Sequence, residues 1–380
     1  MNATIVPAST PDTTAPPWRD SLRVALAPWL VARVVVVTAV FIGLAIERSR
    51  HGLDLSFWDH GLLSWDAAYY RDIADHGYAG VEDAGVRFFP LLPLIARVVG
   101  FGHGAFGVVL VANVTAYAVA VLVHRLVVIE ASDTALAART VWLTMCFPSA
   151  FVLVFGYAES LLMLAAVVTF LAIRSRRWWV AAIAGFAAGL TRPTGVLLSL
   201  PAAIEAWRRR DDWERSRARL IGVIAAVAAP VVGLGAFLVW AATAYGDALR
   251  PMRMFSSPEL RGGWIDPIRS IVGGFGDLLS GDRVGSGLHA VWAVMFIALI
   301  VVMARRLPVS YTAWTAATIV LALSADNLDS FERYALVAFP LAWTIATGCT
   351  RRWNTIGVIT ASAALMASYT VLAVTGTAIP

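Results

Sequence analysis

Residues 63–97 of the 380-residue chain read LSWDAAYYRDIADHGYAGVEDAGVRFFPLLPLIAR, a polar stretch that lies between apolar regions. Within it, Trp65, Tyr69, Ile73 and His76 recur at the spacing of one face of an α-helix. That face is largely aromatic, and aromatic side chains favour the boundary between a membrane and water. The stretch therefore predicts a short helix beside a membrane.

The two ends of this helix are marked by residues that commonly start and stop helices. Ser64 stands where an N-cap is expected, and Gly77 is placed to end the helix. Asp66 then lies in the first turn, where free N–H groups and the helix dipole favour an ionised carboxylate. An acid on an isolated surface helix is usually just solvated, but the membrane setting makes Asp66 a candidate for chemistry.

Composition indicates a membrane protein. Hydrophobic residues make up 59% of the chain and charged residues 14%, against roughly 25% charged residues in soluble domains. The net charge is +5, and all 30 basic residues are arginines, many in short clusters between apolar runs. Such clusters are typical of the cytoplasmic ends of membrane helices, so nucleic-acid binding is not indicated. The two cysteines lie in apolar runs and indicate neither a disulfide framework nor a metal site.

The apolar runs predict an all-α, polytopic membrane protein with about eleven transmembrane helices. The first run, residues 24–46, is long enough to cross a hydrocarbon core of about 30 Å, and Arg33 is its one charged interruption. Residues 89–124 predict a short re-entrant or interfacial helix followed by a span. Further spans are predicted at residues 138–156, 158–173, 178–190, 194–207, 218–243, 287–304, 309–324, 334–349 and 354–377.

The arginine clusters give this chain an orientation. They fall on one side of eleven spans, and the positive-inside rule makes that side cytoplasmic, together with the N-terminus. The clusters lie at residues 174–177, 208–219, 305–306 and 351–352. The loops 47–88, 244–286 and 325–333 are then extracytoplasmic. They contain most of the chain's candidate residues.

The domain organisation predicted from these patterns is simple. Residues 1–18 are rich in Pro, Thr and Ala and lack the basic and apolar parts of a signal peptide. They predict a disordered cytoplasmic tail. Residues 19–380 predict a single transmembrane domain, with helical extracytoplasmic loops.

Charged residues at the predicted outer boundary are candidates for a site. Glu159 is the one acid near the outer ends of the third and fourth spans, where a carboxylate is a functional candidate by default. Arg87, Arg192 and Arg333 reach the same boundary, and a planar guanidinium suits bidentate binding of a lipid phosphate. The alternative is structural, with Glu159 paired to Arg192 or Arg333 and the arginines merely interfacial.

The sequence contains no motif for a zinc site or a nucleotide-binding site. The six histidines show no HExxH motif or close ligand pair, and no P-loop or dinucleotide fingerprint occurs. The Gly-rich run at residues 273–276 has no preceding strand and no following GK[ST], so it predicts a loop or a helix break. We therefore predict no cofactor, no metal and no nucleotide fold.

Several segments together resemble the PIG-V family of mannosyltransferases, which belongs to the GT-C superfamily. The first block is Trp65-Asp66 with Tyr69-Tyr70, Ile73-Ala74, Gly77-Tyr78, Phe88-Phe89-Pro90-Leu91 and Pro93-Leu94. Later blocks are Phe147-Pro148-Ser149, Tyr157-Ala158-Glu159-Ser160, Arg192-Pro193-Thr194-Gly195, Arg333-Tyr334 and Phe339-Pro340. The chain departs from the family at Ser64, where the family usually has His, and at residues 193–194, where it often has Ser-Asn.

The resemblance implies transfer of mannose from a polyprenyl-phosphate donor to an extracytoplasmic acceptor, with inversion at the anomeric carbon. It implies that Asp66 is the base and that Glu159 orients the acceptor or Asp66. Arg333 and Arg192 would hold the donor phosphate. The remaining predicted substrate-binding residues are Arg87, Trp65, Tyr69 and Tyr334. The partners are then the lipid-linked donor, a glycan, lipid or protein acceptor and the bilayer.

Three alternatives stay open at this stage. A related GT-C enzyme could transfer another sugar, such as arabinofuranose. A lipid or sugar transporter or flippase also has broken helices and buried charges, but transporters tend to show repeated halves with charges near the midplane. A structural scaffold would give no reason for Asp66, Glu159 and Arg333 to meet at one boundary.

Overall fold

The computed structural model describes residues 15–213, 216–257, 262–281 and 284–377, and these residues are predominantly helical. Short 3-10 or π segments separate some of the α-helices, and an isolated antiparallel bridge joins Trp264 to Ala325. The α-helices are α1 (Trp18–His51), α2 (Asp66–His76), α3 (Leu91–Val99), α4 (Gly104–Ala131), α5 (Thr134–Met145), α6 (Glu159–Arg174), α7 (Trp178–Thr191), α8 (Ser199–Arg208), α9 (Arg210–Trp213), α10 (Arg217–Tyr245), α11 (Arg250–Phe255), α12 (Pro267–Ser280), α13 (Val284–Arg306), α14 (Val309–Leu323), α15 (Phe331–Val337), α16 (Pro340–Gly348) and α17 (Arg352–Val374).

Five helices among the described residues are long and apolar enough to cross a membrane. They are α1, α4, α10, α17 and the Leu288–Arg306 part of α13, while α7 and α14 are shorter apolar helices. Each predicted span coincides with one α-helix or with two consecutive helical segments. The chain is therefore an all-α, multi-pass membrane protein, and this prediction from the sequence is confirmed.

Some predicted spans are divided where the backbone cannot continue as a helix. The span predicted at 334–349 is split into α15 and α16, and Pro340 is the first residue of α16. Proline lacks the N–H that a continuing helix requires, but it is well tolerated in a first turn. This break lets the short α15 take its own direction.

The N-terminal helix is longer than its predicted span. Residues 1–14 of the predicted tail lie outside the described residues, and Trp18, the last tail residue, already begins α1. Arg33 forms hydrogen bonds inside the bundle. Its Nε donates to Asn113 Oδ1 at 2.9 Å and its Nη2 donates to the Leu153 carbonyl at 2.9 Å.

The Gly-rich run at residues 273–276 is part of α12, so the prediction of a loop or helix break was wrong. The Asp266 side chain accepts hydrogen bonds from the backbone N–H groups of Ile268 and Arg269 and caps the helix. The helix also packs against α13 and buries Ser270 and Gly274. A cap and tertiary packing outweigh the intrinsic cost of glycine, about 1 kcal/mol per residue.

A buried charged cluster fixes the C-terminal end of α6. Arg174 pairs with Glu130 of α4 and, at 2.6 Å, with Glu205 of α8. Ser310 Oγ donates to Glu205 Oε1 at 2.6 Å, and the Tyr311 hydroxyl donates to Glu130 Oε1 at 2.8 Å. The cluster joins α4, α6, α8 and α14 at the end of α6 opposite Glu159.

Helices α7 and α10 approach each other closely through small residues. A Cβ atom added to Gly189 would overlap the Pro230 carbonyl oxygen, and one added to Gly233 would overlap the Phe186 carbonyl oxygen. Association of membrane helices depends on such contacts, because lipid supplies little hydrophobic drive. Gly235 differs, since a Cβ added there meets nothing within 4 Å.

We predict that Gly233→Val destabilises the protein by about 1–3 kcal/mol, the usual cost of overpacking. Gly235→Val is the matched control, because it makes the same change two residues along α10 on an open face. The midpoint of thermal unfolding in detergent measures both. Equal midpoints for the two variants would show that the α7–α10 contact does not limit stability.

Candidate active site

The segment 47–88 places α2 against the membrane bundle. α2 begins at Asp66 and ends at His76 before Gly77, as the sequence predicted. The predicted N-cap was wrong, because Ser64 Oγ donates to the Gly61 carbonyl at 2.8 Å and Trp65 occupies the N-cap position without a side-chain cap bond. Of the predicted aromatic face, Ile73 is buried against the protein. The buried residues of α2 are Ala67, Tyr70, Ile73 and Ala74.

Trp65 turns the chain into α2 in an unusual conformation. Its φ of 57° with ψ of −124° lies in a region that residues other than glycine rarely adopt. Such a conformation costs about 1–3 kcal/mol and persists only where the surroundings fix it. Here the indole Nε1 donates to the Ala373 carbonyl of α17 at 2.9 Å. The bond holds the turn that presents Asp66.

Asp66 forms an ion pair with an arginine from a distant part of the chain. Its Oδ2 lies 2.8 Å from Nη1 of Arg333, which is in the first turn of α15. The Arg333 side chain is 8% exposed and the Asp66 side chain 18% exposed. Asp66 is also the first residue of α2, where the helix dipole favours negative charge. The carboxylate thus keeps some access to solvent while its charge is balanced.

Glu159 connects Arg333 to a second arginine. It is the first residue of α6, and its side chain is 1% exposed. A single oxygen, Oε1, lies 3.0 Å from Arg333 Nε and also accepts a hydrogen bond from Arg192 Nη1. The other oxygen, Oε2, is buried and has no hydrogen-bond partner among the described residues. Part of this carboxylate's bonding capacity is therefore unused.

Arg192 reaches the site because the backbone leaves the helix at this point. It follows α7 with φ of −156° and ψ of 154°, and Pro193 begins the next 3-10 segment. A residue before proline is driven from the helical into the extended region by steric contact with the ring. Arg192 is buried, as a residue turned into the bundle should be.

The four residues form one linear chain of charges, in the order Asp66, Arg333, Glu159 and Arg192. Two carboxylates balance two guanidiniums, so the chain is formally neutral. We name it the charge chain. A buried charge without such a partner costs several kcal/mol, which explains why members from four elements converge. In this geometry the arginines can also accept an additional anion.

Tyrosine rings frame the two guanidiniums. The carbon Cζ of Arg192 lies 5.1 Å from the Tyr334 ring centroid, and that of Arg333 lies 5.6 Å from the same centroid. Tyr157, a residue not predicted as part of the site, lies 5.3 Å from the Arg333 Cζ. A guanidinium over an aromatic face is favoured and held in one orientation. Tyr334, one of the predicted substrate-binding residues, thus lies beside the charge chain.

Arg87 and Tyr69 lie on a different side of α2 and do not enter the charge chain. The Arg87 guanidinium lies over the rings of Tyr69 and Phe88, with Cζ to centroid distances of 5.3 and 4.6 Å. Tyr69 stacks on Phe88 at 4.8 Å. These three side chains pack together on that side of α2. On the same helix, Arg71 Nε donates a hydrogen bond to Asp72 Oδ1 at 2.8 Å, and this bond raises the pKa of Arg71.

Two cavities adjoin the charge chain. A very small one is lined by Glu159, Arg192, Arg333 and Tyr334. A larger cavity of about 170 Å³ shares Arg192 and Tyr334 with it. The larger cavity is otherwise mostly apolar, and its lining includes Met252, Phe255, Trp264 and Leu321. A ligand with a charged head and an apolar tail would match this pair of cavities.

Sequence reasoning missed a second buried cluster beside the site. Glu332 is 2% exposed, and its carboxylate contacts His289 of α13 and Tyr369 of α17. The sequence contains no motif that joins Glu332 to these partners. They lie 43 and 37 residues away in the chain, so only the tertiary structure brings them together.

Comparison with known structures identifies the fold. The chain is similar to the crystal structure of ArnT from Cupriavidus metallidurans bound to undecaprenyl phosphate, with a TM-score of 0.50 and 15% identity. The match covers 91% of this chain and 76% of that chain. It supports the predicted GT-C membrane fold. No protein-family model and no curated protein matches the chain, so the resemblance to the PIG-V family stays a prediction.

We predict that Glu159→Ala destabilises the protein by about 3–5 kcal/mol, because two buried guanidiniums lose a shared partner. Replacing both Glu159 and Arg192 by Met should cost less than Glu159→Ala, since only Arg333 then lacks that partner. Thermal unfolding in detergent measures both variants.

The control is Arg250→Met, which breaks the 2.6 Å pair between Arg250 and the exposed Asp83. Exposed pairs contribute about 0–1 kcal/mol, so this variant should unfold near the wild-type temperature. If Glu159→Ala is as stable as the control, the charge chain does not stabilise the fold.

Proposed function

We propose that this protein is a glycosyltransferase that moves a sugar from a polyprenyl-phosphate donor to an acceptor at the outer face of the membrane. The observation that carries the proposal is the charge chain, in which a partly exposed carboxylate is joined to two buried arginines beside an apolar cavity. A transferase of this type needs a base for the acceptor and cations for the leaving phosphate.

The lipid-linked donor is supported by the fold and by the cavities. ArnT, which shares the fold, was crystallised with undecaprenyl phosphate bound. In this chain, Arg192 lines the 170 Å³ cavity together with apolar residues such as Phe255 and Leu321. A donor phosphate at Arg192 would leave its prenyl chain beside apolar surface. No nucleotide-binding fold is needed for such a donor.

The proposed reaction is a single displacement. The acceptor hydroxyl oxygen forms a bond to the anomeric carbon as the bond from that carbon to the phosphate oxygen breaks. The phosphate leaves with the electron pair, and Arg333 and Arg192 stabilise its added charge. Asp66 accepts the proton of the acceptor hydroxyl. Attack opposite the leaving group inverts the anomeric carbon.

Glu159 has a distinct part in this scheme. Its Oε1 contacts both arginines, so it keeps the guanidiniums aligned before the donor binds. A bound phosphate competes with that oxygen for the same N–H groups. Glu159 therefore limits how tightly the site binds the product polyprenyl phosphate, which is more highly charged than the donor. Its unpartnered Oε2 remains available to a substrate hydroxyl.

We propose mannose as the sugar, because the block around Trp65-Asp66 resembles the PIG-V family. The acceptor in this proposal is a component of the cell envelope. We also propose Trp65, Tyr69, Tyr334 and Arg87 as substrate-binding residues. Trp65 and Tyr334 are next to members of the charge chain in the sequence, whereas Tyr69 and Arg87 lie on the other side of α2, where Tyr69 stacks on Phe88.

The proposed orientation follows the arginine distribution. Glu159 begins α6 and Arg174 ends it, so the charge chain and the arginine-rich loops lie at opposite ends of the same helix. By the positive-inside rule, the arginine-rich end is cytoplasmic and the charge chain is extracytoplasmic. We treat residues 19–380 as one domain, because α1 packs against α17 and Trp65 bonds to α17.

We expect Asp66→Asn to reduce transfer by about a hundredfold or more, the usual effect of losing a general base. The assay measures transfer of labelled mannose from polyprenyl-phosphate-mannose by membranes that contain the full chain. Asp72→Asn is the matched control, an acid on the same helix whose side chain is 38% exposed. Equal transfer by both variants would remove Asp66 from the mechanism, and no transfer by wild type would reject mannose transfer.

We expect Arg192→Lys to weaken donor binding about tenfold or more, because lysine cannot form the planar bidentate contact with phosphate. The donor KM and the inhibition constant for polyprenyl phosphate measure this change. Arg250→Lys, which alters an arginine paired with the exposed Asp83, should leave both constants near wild type. A donor KM that does not respond to Arg192→Lys would place the phosphate elsewhere.

A further inference from the structure

Glu332 directly precedes Arg333 in α15, and its side chain is fixed by two other helices. His289 Nδ1 lies 2.6 Å from Glu332 Oε2, and the Tyr369 hydroxyl lies 3.1 Å from Oε1. The His289 and Glu332 side chains are 10% and 2% exposed. Asp329 is the one other charged group close enough to His289 to act on it in the described part of the chain. The proposed reaction uses none of these residues.

The backbone of the same residue is fixed as well. Ser149 Oγ donates to the Glu332 carbonyl at 2.8 Å. Ser330, which precedes the helix, has a φ of 63° in the left-handed region, so α15 starts from a sharply turned backbone. A helix of seven residues has few internal hydrogen bonds of its own, and its orientation depends on outside contacts.

Adjacent residues of a helix point in directions about 100° apart, since one turn contains 3.6 residues. Glu332 therefore points towards α13 and α17, while Arg333 points towards α2 and α6. Fixing the first side chain fixes the rotation of α15 and hence the second. A small rotation would separate Arg333 Nη1 from the Asp66 carboxylate, which lies 2.8 Å away.

We propose that Glu332 and His289 are positioning residues, and that their buried pair sets the rotation of α15 so that Arg333 meets Asp66 and the leaving phosphate. This inference rests on the proposed function. It assigns a role to an acid and a histidine that contact no substrate. Removal of the pair should affect stabilisation of the transition state more than binding of the donor, because Arg192 is not on α15.

The test compares His289→Leu with the double variant His289→Leu/Glu332→Gln in the full-length protein. The single variant leaves a buried carboxylate without its partner, so both its thermal stability and its kcat should fall. The double variant removes the unpaired charge and should regain stability. Its kcat should stay about tenfold or more below wild type while the donor KM changes little, because the contact that sets the rotation of α15 is still missing.

Two further variants complete the design. His289→Asn places an amide N–H near the position of Nδ1, so it should restore most of the kcat. Glu205→Gln alters a buried carboxylate at the other end of α6, and it should lower stability without changing kcat per folded molecule. If kcat and stability recover together in the double variant, or if His289→Asn fails to restore kcat, the positioning role is overturned.

A structural readout separates this inference from the proposed function. Cryo-electron microscopy of His289→Leu should show Arg333 displaced from Asp66. An unchanged contact between the two residues would overturn the positioning role, whatever the activity. If wild type transfers no sugar while Arg333 is displaced, the proposed function fails and the positioning of Arg333 stands.

Discussion

A buried guanidinium needs partners that balance its charge or accept its hydrogen bonds, and Arg333 has two carboxylates beside it. Asp66 is supplied by α2 and Glu159 by α6, and both acids begin their helices, where the dipole favours negative charge. The rest of the site follows from this requirement. The strained Trp65 turn aims Asp66, and the Arg192-Pro193 break brings a second cation to Glu159. Each of these two backbone irregularities positions one member of the charge chain.

Much of this arrangement could be predicted from the sequence, because the signals were local. Apolar runs marked the spans, and the position of Asp66 in a first turn followed from residues close to it in the chain. The extended backbone at Arg192 follows from the proline after it. Asp66, Glu159, Arg192 and Arg333 all fall at boundaries between apolar and polar segments. The sequence therefore predicted that they lie at a similar depth in the membrane, although it did not show which of them would pair.

The incorrect predictions concern contacts between distant residues. Ser64 looked like an N-cap, but the Trp65 indole bonds to Ala373, 308 residues later, and this contact decides the turn. The Gly-rich part of α12 looked like a break, but packing on α13 and the Asp266 cap keep it helical. His289 carried no motif at all. Local propensity is a weak prior, and tertiary contacts override it where they are strong.

The two ends of α6 both carry buried arginine–glutamate clusters, and they differ in how completely the carboxylate oxygens are bonded. At the Arg174 end, both oxygens of Glu205 have partners, one in Ser310 and one in Arg174. At the other end, Glu159 shares one oxygen between two arginines and leaves Oε2 without a partner among the described residues. Buried polar atoms are almost always satisfied, so a carboxylate oxygen left free beside a cavity indicates a place for a ligand. If Oε2 meets a ligand, as we propose, the charge chain serves binding as well as folding. The Arg174 cluster also leaves one buried atom, Arg174 Nη2, without a partner among the described residues, but both oxygens of its Glu205 are bonded.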